Sequence, residues 1–249
     1  MNVTLYSVRP NRSRAFTLLE LLLCIAVVAL LIAIIVPALR NVRSRSLAVK
    51  TLASLRDSNS VINLYANDWK DRFPDFATPG DGPTIIPLSD GDTYEMQLYF
   101  LSGLSWNFPL ADGYLQGNPF LASAFPAEQI VNNRGGGSPF ELSCAFFTDP
   151  AAWRSETRQG ISQLRGTSRY EVTFPSKKGL LESTYHAFTD KQQPPTPIST
   201  VDGGALEVAL EEFRPGYASG EQGLPGTFHF FNRHRTLHTV SGVRGRDLR

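Results

Sequence analysis

Cysteine is scarce in this chain: two among 249 residues, at positions 24 and 144. That excludes a disulfide-built scaffold and a zinc site made of thiolates. A surplus of charge is also missing. Lys and Arg total 24 against 23 Asp and Glu, a formal net charge of +1. A protein that neutralises phosphates across a basic face needs an excess of cations, so no nucleic-acid partner is expected. The sequence contains no HExxH, no GxSxG, no P-loop and no dinucleotide fingerprint. It shows no internal repeat and no second apolar run long enough to cross a bilayer. What it does have is a 42% hydrophobic composition, ample for a folded core and concentrated at one end.

Ala15 to Leu39 form a run of 25 residues with a single charge, Glu20. As a helix it spans roughly 37 Å, enough for a hydrocarbon core of about 30 Å. Arg9, Arg12 and Arg14 precede it with no acid among them. A cleaved secretory signal fits poorly. Val36-Pro37-Ala38 offers a small-residue site, but the apolar stretch before it is too long and carries Glu20. Orientation is not settled by the positive-inside rule, because Arg40, Arg43, Arg45 and Lys50 follow the run. A carboxylate within a membrane helix costs about 2.5–3.5 kcal/mol at the centre and less near an end. Glu20 is therefore either hydrated near the headgroups or paired with something.

Arg14-Ala15-Phe16-Thr17-Leu18-Leu19-Glu20, followed by about twenty apolar residues, resembles the class III signal of the type IV pilin and type II secretion pseudopilin superfamily. Pro37 stands where many helices of that family carry a kinking proline. The resemblance covers residues 9 to about 40. It implies that a prepilin peptidase cuts between Ala15 and Phe16 and methylates the new Phe16 amine. It implies that Glu20 pairs with the N-terminal amine of a neighbouring subunit during assembly. The remaining implied partners are other pilin or pseudopilin subunits, an inner-membrane assembly platform and membrane lipid. Ala15 departs from the family's glycine at the cut; it is the nearest substitute in size, and the departure bears on the rate.

After Arg40, Ala48, Leu52, Leu55, Ile62, Tyr65 and Trp69 recur at helical spacing, with Arg43, Arg45, Lys50, Arg56 and Asp57 mostly off that stripe. One helix from Phe16 to Asp71 is expected, stopped by Pro74. Tyr65, Trp69 and Arg72-Phe73-Pro74 resemble the helix end of planctomycete pseudopilin-like proteins. Beyond it, strand-like runs lie at 84–87, 141–147, 170–174, 205–210 and 227–231, with loops at 132–139 and 192–197 and an Asp202-Gly203-Gly204 turn. The expected organisation is a leader at 1–15, a transmembrane helix at 16–39, an amphipathic continuation at 40–72 and a β-rich head at 73–249. The expected fold class is α+β, a long N-terminal helix packed on an antiparallel sheet; the resemblance implies a single-pass inner-membrane anchor with the head outside the cytoplasm.

Candidate chemistry in the head is sparse. His229, His234 and His238 do not share one face of a strand and match no metal pattern. Leu88 to Glu95 is an acidic, glycine-containing loop in which Asp90 and Asp92 offer hard oxygens suited to calcium. The EF-hand pattern is not met and a plain turn is the simpler reading. No other cofactor is expected. The reading is a structural, non-enzymatic filament subunit. Its rival is a signal-anchored extracytoplasmic domain that binds a ligand or hydrolyses a substrate without polymerising.

Overall fold

The computed structural model describes residues 17–74, 84–87, 93–96, 103, 105–117, 138–154, 156–157, 159, 163, 165–183, 195–214, 236 and 239–249. The chain divides into two compact units, Met1–Leu47 and Ala48–Arg249. Helix α1 (Leu18–Asp68, 51 residues) starts in the first and ends in the second. Pro37 lies inside α1, which continues on both sides of it, so the proline does not end the helix.

Within the second unit, the buried face of α1 is Thr51, Ser54, Leu55, Ser58, Asn59, Ile62 and Ala66. It shares Leu55 and Ile62 with the expected apolar stripe, but is otherwise small and polar. Small side chains let the backbone approach its neighbours closely. The polar ones find partners: Asn59 Nδ2 donates to the Thr200 carbonyl at 2.7 Å. Trp69, expected on the buried stripe, is 57% exposed and stacks on Tyr65 at 5.5 Å.

The helix stops at Asp68 rather than Asp71, well ahead of Pro74. Lys70 and Asp71 adopt left-handed backbone, φ 54° and 60°, and the Asp71 amide closes on the Ala66 carbonyl at 2.8 Å. Such a conformation is disfavoured for non-glycine residues. Here Arg169 holds it: its guanidinium donates to Asp71 Oδ1 and to Asn67 Oδ1, and its amide to the Asp71 carbonyl. The side-chain bond from Arg169, with that from Tyr170 second, holds the Asp71 carboxyl below its ordinary range.

Strands β1 (Thr84–Pro87) and β2 (Thr93–Met96) pair antiparallel. The expected strand at 84–87 is therefore present, and the Leu88–Glu95 loop gives up its last three residues to β2. A short helix, α2 (Ala111–Tyr114), follows. The main sheet is an antiparallel meander of β3 (Phe140–Leu142), β4 (Gly179–Ser183), β5 (Thr196–Thr200) and β6 (Ala205–Val208), in that order. The expected strand at 141–147 is cut short, because residues 144–147 form a 3-10 turn capped by the Ser143 hydroxyl. The expected strand at 170–174 is not one. Ser168 and Glu171 form a capping box that winds residues 169–171 into a turn. The expected strand at 205–210 ends at Val208 before another turn at 210–212. Thr196 and Pro197, expected in a loop, open β5. The Asp202 turn joins β5 to β6, with Gly203 at φ +94° as the tight connection requires. The 227–231 run lies outside the described residues.

The core gathers Leu55 and Ile62 of α1 with Phe73, Trp106, Phe140, Phe146, Trp153 and Leu181. Trp106 Nε1 donates to the Phe140 carbonyl at 2.9 Å, so the indole is both packed and satisfied. Cys144 is buried in this core and Cys24 is exposed on the apolar part of α1. A smaller cluster, Ile198, Val208, Phe213 and Leu248, fastens the last residues to β5 and β6.

Charge is buried as well. Lys178 Nζ donates to Asp247 Oδ2 at 2.8 Å, with side-chain exposures of 0% and 1%. The Asp247 carboxylate also accepts from the Gly179 amide at 2.8 Å and from Thr239 Oγ1 at 2.5 Å, and the same hydroxyl accepts from Lys178. Burial pulls the Lys178 amine below its ordinary value, and Asp247 opposes that shift.

Glu141 of β3 and Glu182 of β4 are direct cross-strand partners and both are buried. Glu182 Oε2 accepts from the Thr236 amide at 3.1 Å and hydroxyl at 2.6 Å. Desolvation first, and Glu182 second, push the Glu141 carboxyl well above its ordinary value. A raised carboxyl keeps its proton in the folded state after the unfolded chain has lost it. Its stabilising contribution is full below the ordinary glutamate value and is lost as pH rises through the raised value. Urea unfolding from about pH 4 to 8 should show stability falling with pH, and Glu141→Gln should flatten that slope and be more stable at neutral pH. A Glu141→Gln variant with an unchanged slope would place the titration elsewhere.

Candidate processing and assembly site

The apolar part of α1, Leu18–Pro37, is 20 residues long with mean hydropathy 3.2, and none of it is buried. At 1.5 Å per residue it measures about 30 Å, the thickness of a hydrocarbon core. A core helix of a water-soluble domain buries at least one face, whereas leucines here are open all round, from Leu18 at 82% down to Leu31 at 52%. This is a helix long and apolar enough to cross a membrane.

Its first turn is built by two side chains. Thr17 is the N-cap: its carbonyl accepts the first helical bond from Leu21 at 3.2 Å, and its Oγ1 accepts from the Glu20 amide at 3.2 Å. Glu20 reaches back, its Oε2 accepting from the Thr17 amide and hydroxyl, each at 2.9 Å. This is a reciprocal capping box. It satisfies amides that a helix start leaves without partners, and it places a negative charge at the positive end of the helix dipole. Among the described residues nothing donates to Glu20 Oε1, so one carboxylate oxygen is committed to the cap and the other is open.

Thr17 belongs to the matched motif, but its role as the helix N-cap is one that the motif match alone does not assign. Its signal was present in the sequence as the T-x-x-E spacing ahead of an apolar run. Ala15 and Phe16, the expected cleavage and methylation residues, lie outside the described residues. So do Asp90 and Asp92, the candidate calcium ligands, and His229, His234 and His238. Among the described residues, no three of His, Cys, Asp and Glu are grouped closely enough to hold a metal ion.

Residues 10–36 match the family model of the prokaryotic N-terminal methylation motif. No curated protein and no solved structure matches the chain. The match starts ahead of the capping box and ends one residue before Pro37, so Arg12, Arg14, the box and all but the last residue of the apolar stretch fall within a single motif. The chain carries a signal of the type IV pilin and pseudopilin kind, on a fold that combines an apolar N-terminal helix with a four-stranded antiparallel sheet. That motif implies processing by a prepilin peptidase and assembly with other pilin subunits.

Proposed function

We propose that this chain is a structural, non-enzymatic subunit of a pilin-like filament, of the type II secretion pseudopilus or type IV pilus kind. It is cut between Ala15 and Phe16, methylated at the Phe16 amine, and held in the inner membrane with its head outside the cytoplasm. The observation that carries this reading is the methylation motif at 10–36 laid directly over an unburied apolar helix whose first turn bears Glu20. A signal peptide is discarded after cleavage, whereas this helix is retained and supplies the packing surface of a filament. The open Glu20 Oε1 supports the assembly role, since capping leaves an acceptor for a neighbour's amine.

The rival, an anchored domain that never polymerises, draws its support from the capping box. Glu20 has work to do within its own chain and is explained there without a neighbour. Co-expression with a prepilin peptidase, followed by mass spectrometry of the N-terminus, tests the proposal. The expected product starts at methylated Phe16, and Ala15→Gly should be processed at least as fast. Mature protein that starts at Met1 or near Leu39 would overturn the class III assignment.

A further inference from the structure

A cavity of about 180 Å³ opens in the second unit, lined by Asp149, Arg154, Thr157, Arg165, Ser241 and Arg244. This is smaller than sites for drug-sized ligands, which start at about 300 Å³, and suits a single small group. Three guanidiniums face one carboxylate, and that carboxylate is already occupied. Asp149 Oδ2 accepts from Arg165 Nε at 2.7 Å, and its Oδ1 accepts from the Ala151 amide at 2.8 Å. The other arm of Arg165 is committed to Glu171 as a bidentate pair at 3.0 and 2.9 Å. The Thr157 hydroxyl donates to the Ala151 carbonyl at 2.7 Å.

Arg154 and Arg244 differ from Arg165. Both are exposed, and among the described residues neither guanidinium has an ion pair or a hydrogen bond. The Ser241 hydroxyl likewise makes no cap bond. Arg165 is committed to two acids, whereas Arg154 and Arg244 keep their guanidinium donors at the cavity, with Arg244 within electrostatic reach of Asp149.

The turn that carries Arg244 is closely packed. Ser241 sits in left-handed backbone at φ 70° and Gly242 at φ +57°. A Cβ on Gly242 would lie 2.3 Å from Trp153 Cδ1, so the turn is seated directly on the buried indole. The backbone from which Arg244 projects is thus held against Trp153, while its exposed side chain is ordered only on binding.

We infer that this cavity binds one oxyanionic group, a carboxylate or a phosphate, between Arg154 and Arg244 with the Ser241 hydroxyl as a third donor. Planar guanidiniums match both anions with paired hydrogen bonds. The shared chemistry has two sources, a free anion or an acidic side chain presented by another protein.

The test uses the full-length protein in detergent, titrated at constant ionic strength with inorganic phosphate and separately with a tri-glutamate peptide. Calorimetry and the thermal midpoint are the readouts. Saturable binding is expected for one probe or both, weakened about tenfold or more in Arg154→Gln/Arg244→Gln. The unliganded midpoint of that variant should stay within about 2 °C, because both side chains are exposed and neither makes a hydrogen bond or close ion pair among the described residues. Tighter binding of phosphate assigns a free anion, and tighter binding of tri-glutamate assigns a protein side chain. If the double variant folds poorly, Arg154→Gln alone gives the same comparison. Absence of saturation by both probes above the chloride background overturns the inference, as does binding that the arginine substitutions leave unchanged.

Discussion

Glu20→Gln is expected to insert in the membrane, to be processed, and to fail in assembly. Glutamine serves in a capping box as glutamate does, so the Thr17 cap persists while the charge is gone. The substitution therefore separates the two roles that the geometry gives Glu20. Under the proposed function, the charge pairs with the Phe16 amine of a neighbour. Two opposite charges about 4 Å apart attract by about 4 kcal/mol at an effective dielectric near 20. That corresponds to a factor of roughly several hundred in a subunit's association. Glu20→Leu should behave alike in assembly and insert more readily, because a charge has left the bilayer. Thr17→Ala is the counterpart: it keeps the charge and loses the cap, worth about 0.5–2 kcal/mol of helix stability, so assembly should persist at a reduced level. Subunit crosslinking or filament yield in an over-expressing strain reads all three. Filaments from Glu20→Gln at the wild-type level would reduce Glu20 to a helix cap and transfer support to the anchored, non-polymerising reading.

Asp247→Asn is expected to cost the second unit about 3–5 kcal/mol, because it leaves the Lys178 cation in a dry site without its counter-charge. Lys178 is wholly buried and its Nζ lies 5.6 Å from the Phe146 ring centroid, too weak a substitute for a carboxylate. In a unit of this size the loss corresponds to a midpoint lower by roughly 6–20 °C. Adding Lys178→Met should restore much of it. No charge is then buried at that site, and the side-chain carbonyl oxygen introduced by Asp247→Asn still accepts from the Gly179 amide. The check is guanidinium unfolding of wild type, single and double variants, followed by tryptophan fluorescence. A single variant within about 0.5 kcal/mol of wild type would show that Lys178 is neutral or hydrated in the fold.

The two ends of the protein differ in how plainly the sequence displays them. The apolar helix was legible because its signal is local: a twenty-residue stretch with one charge, Glu20, satisfies its own backbone and needs only a bilayer around it. The capping box was equally local, four residues long. Strand β1 was legible because Thr84-Ile85-Ile86 stands between turn residues. The turn at 169–171 was misleading, since Tyr170, Val172, Thr173 and Phe174 have strand-like propensity. A capping bond from Ser168 and the ion pair of Arg165 with Glu171 outweigh that preference. β4 was passed over because its residues follow two lysines and include a glutamate, although every one of them is buried.

The sequence by itself determined the anchor: that an apolar helix stands near the N-terminus, that it is long enough to span a bilayer, and which signal it carries. Each of these depends on residues within a few turns of one another, so spacing and composition suffice. Only the tertiary structure decided which charges of the head lie inside. Lys178 meets Asp247 from 69 positions away and Glu182 meets Thr236 from 54. A buried charge is tolerable only when such a partner arrives, and no local pattern announces a partner that distant. The same holds for the cavity between the 149–157 and 241–244 turns. The turn at Ser241–Gly242 faces it only because Gly242 is seated on Trp153, a residue from far earlier in the chain.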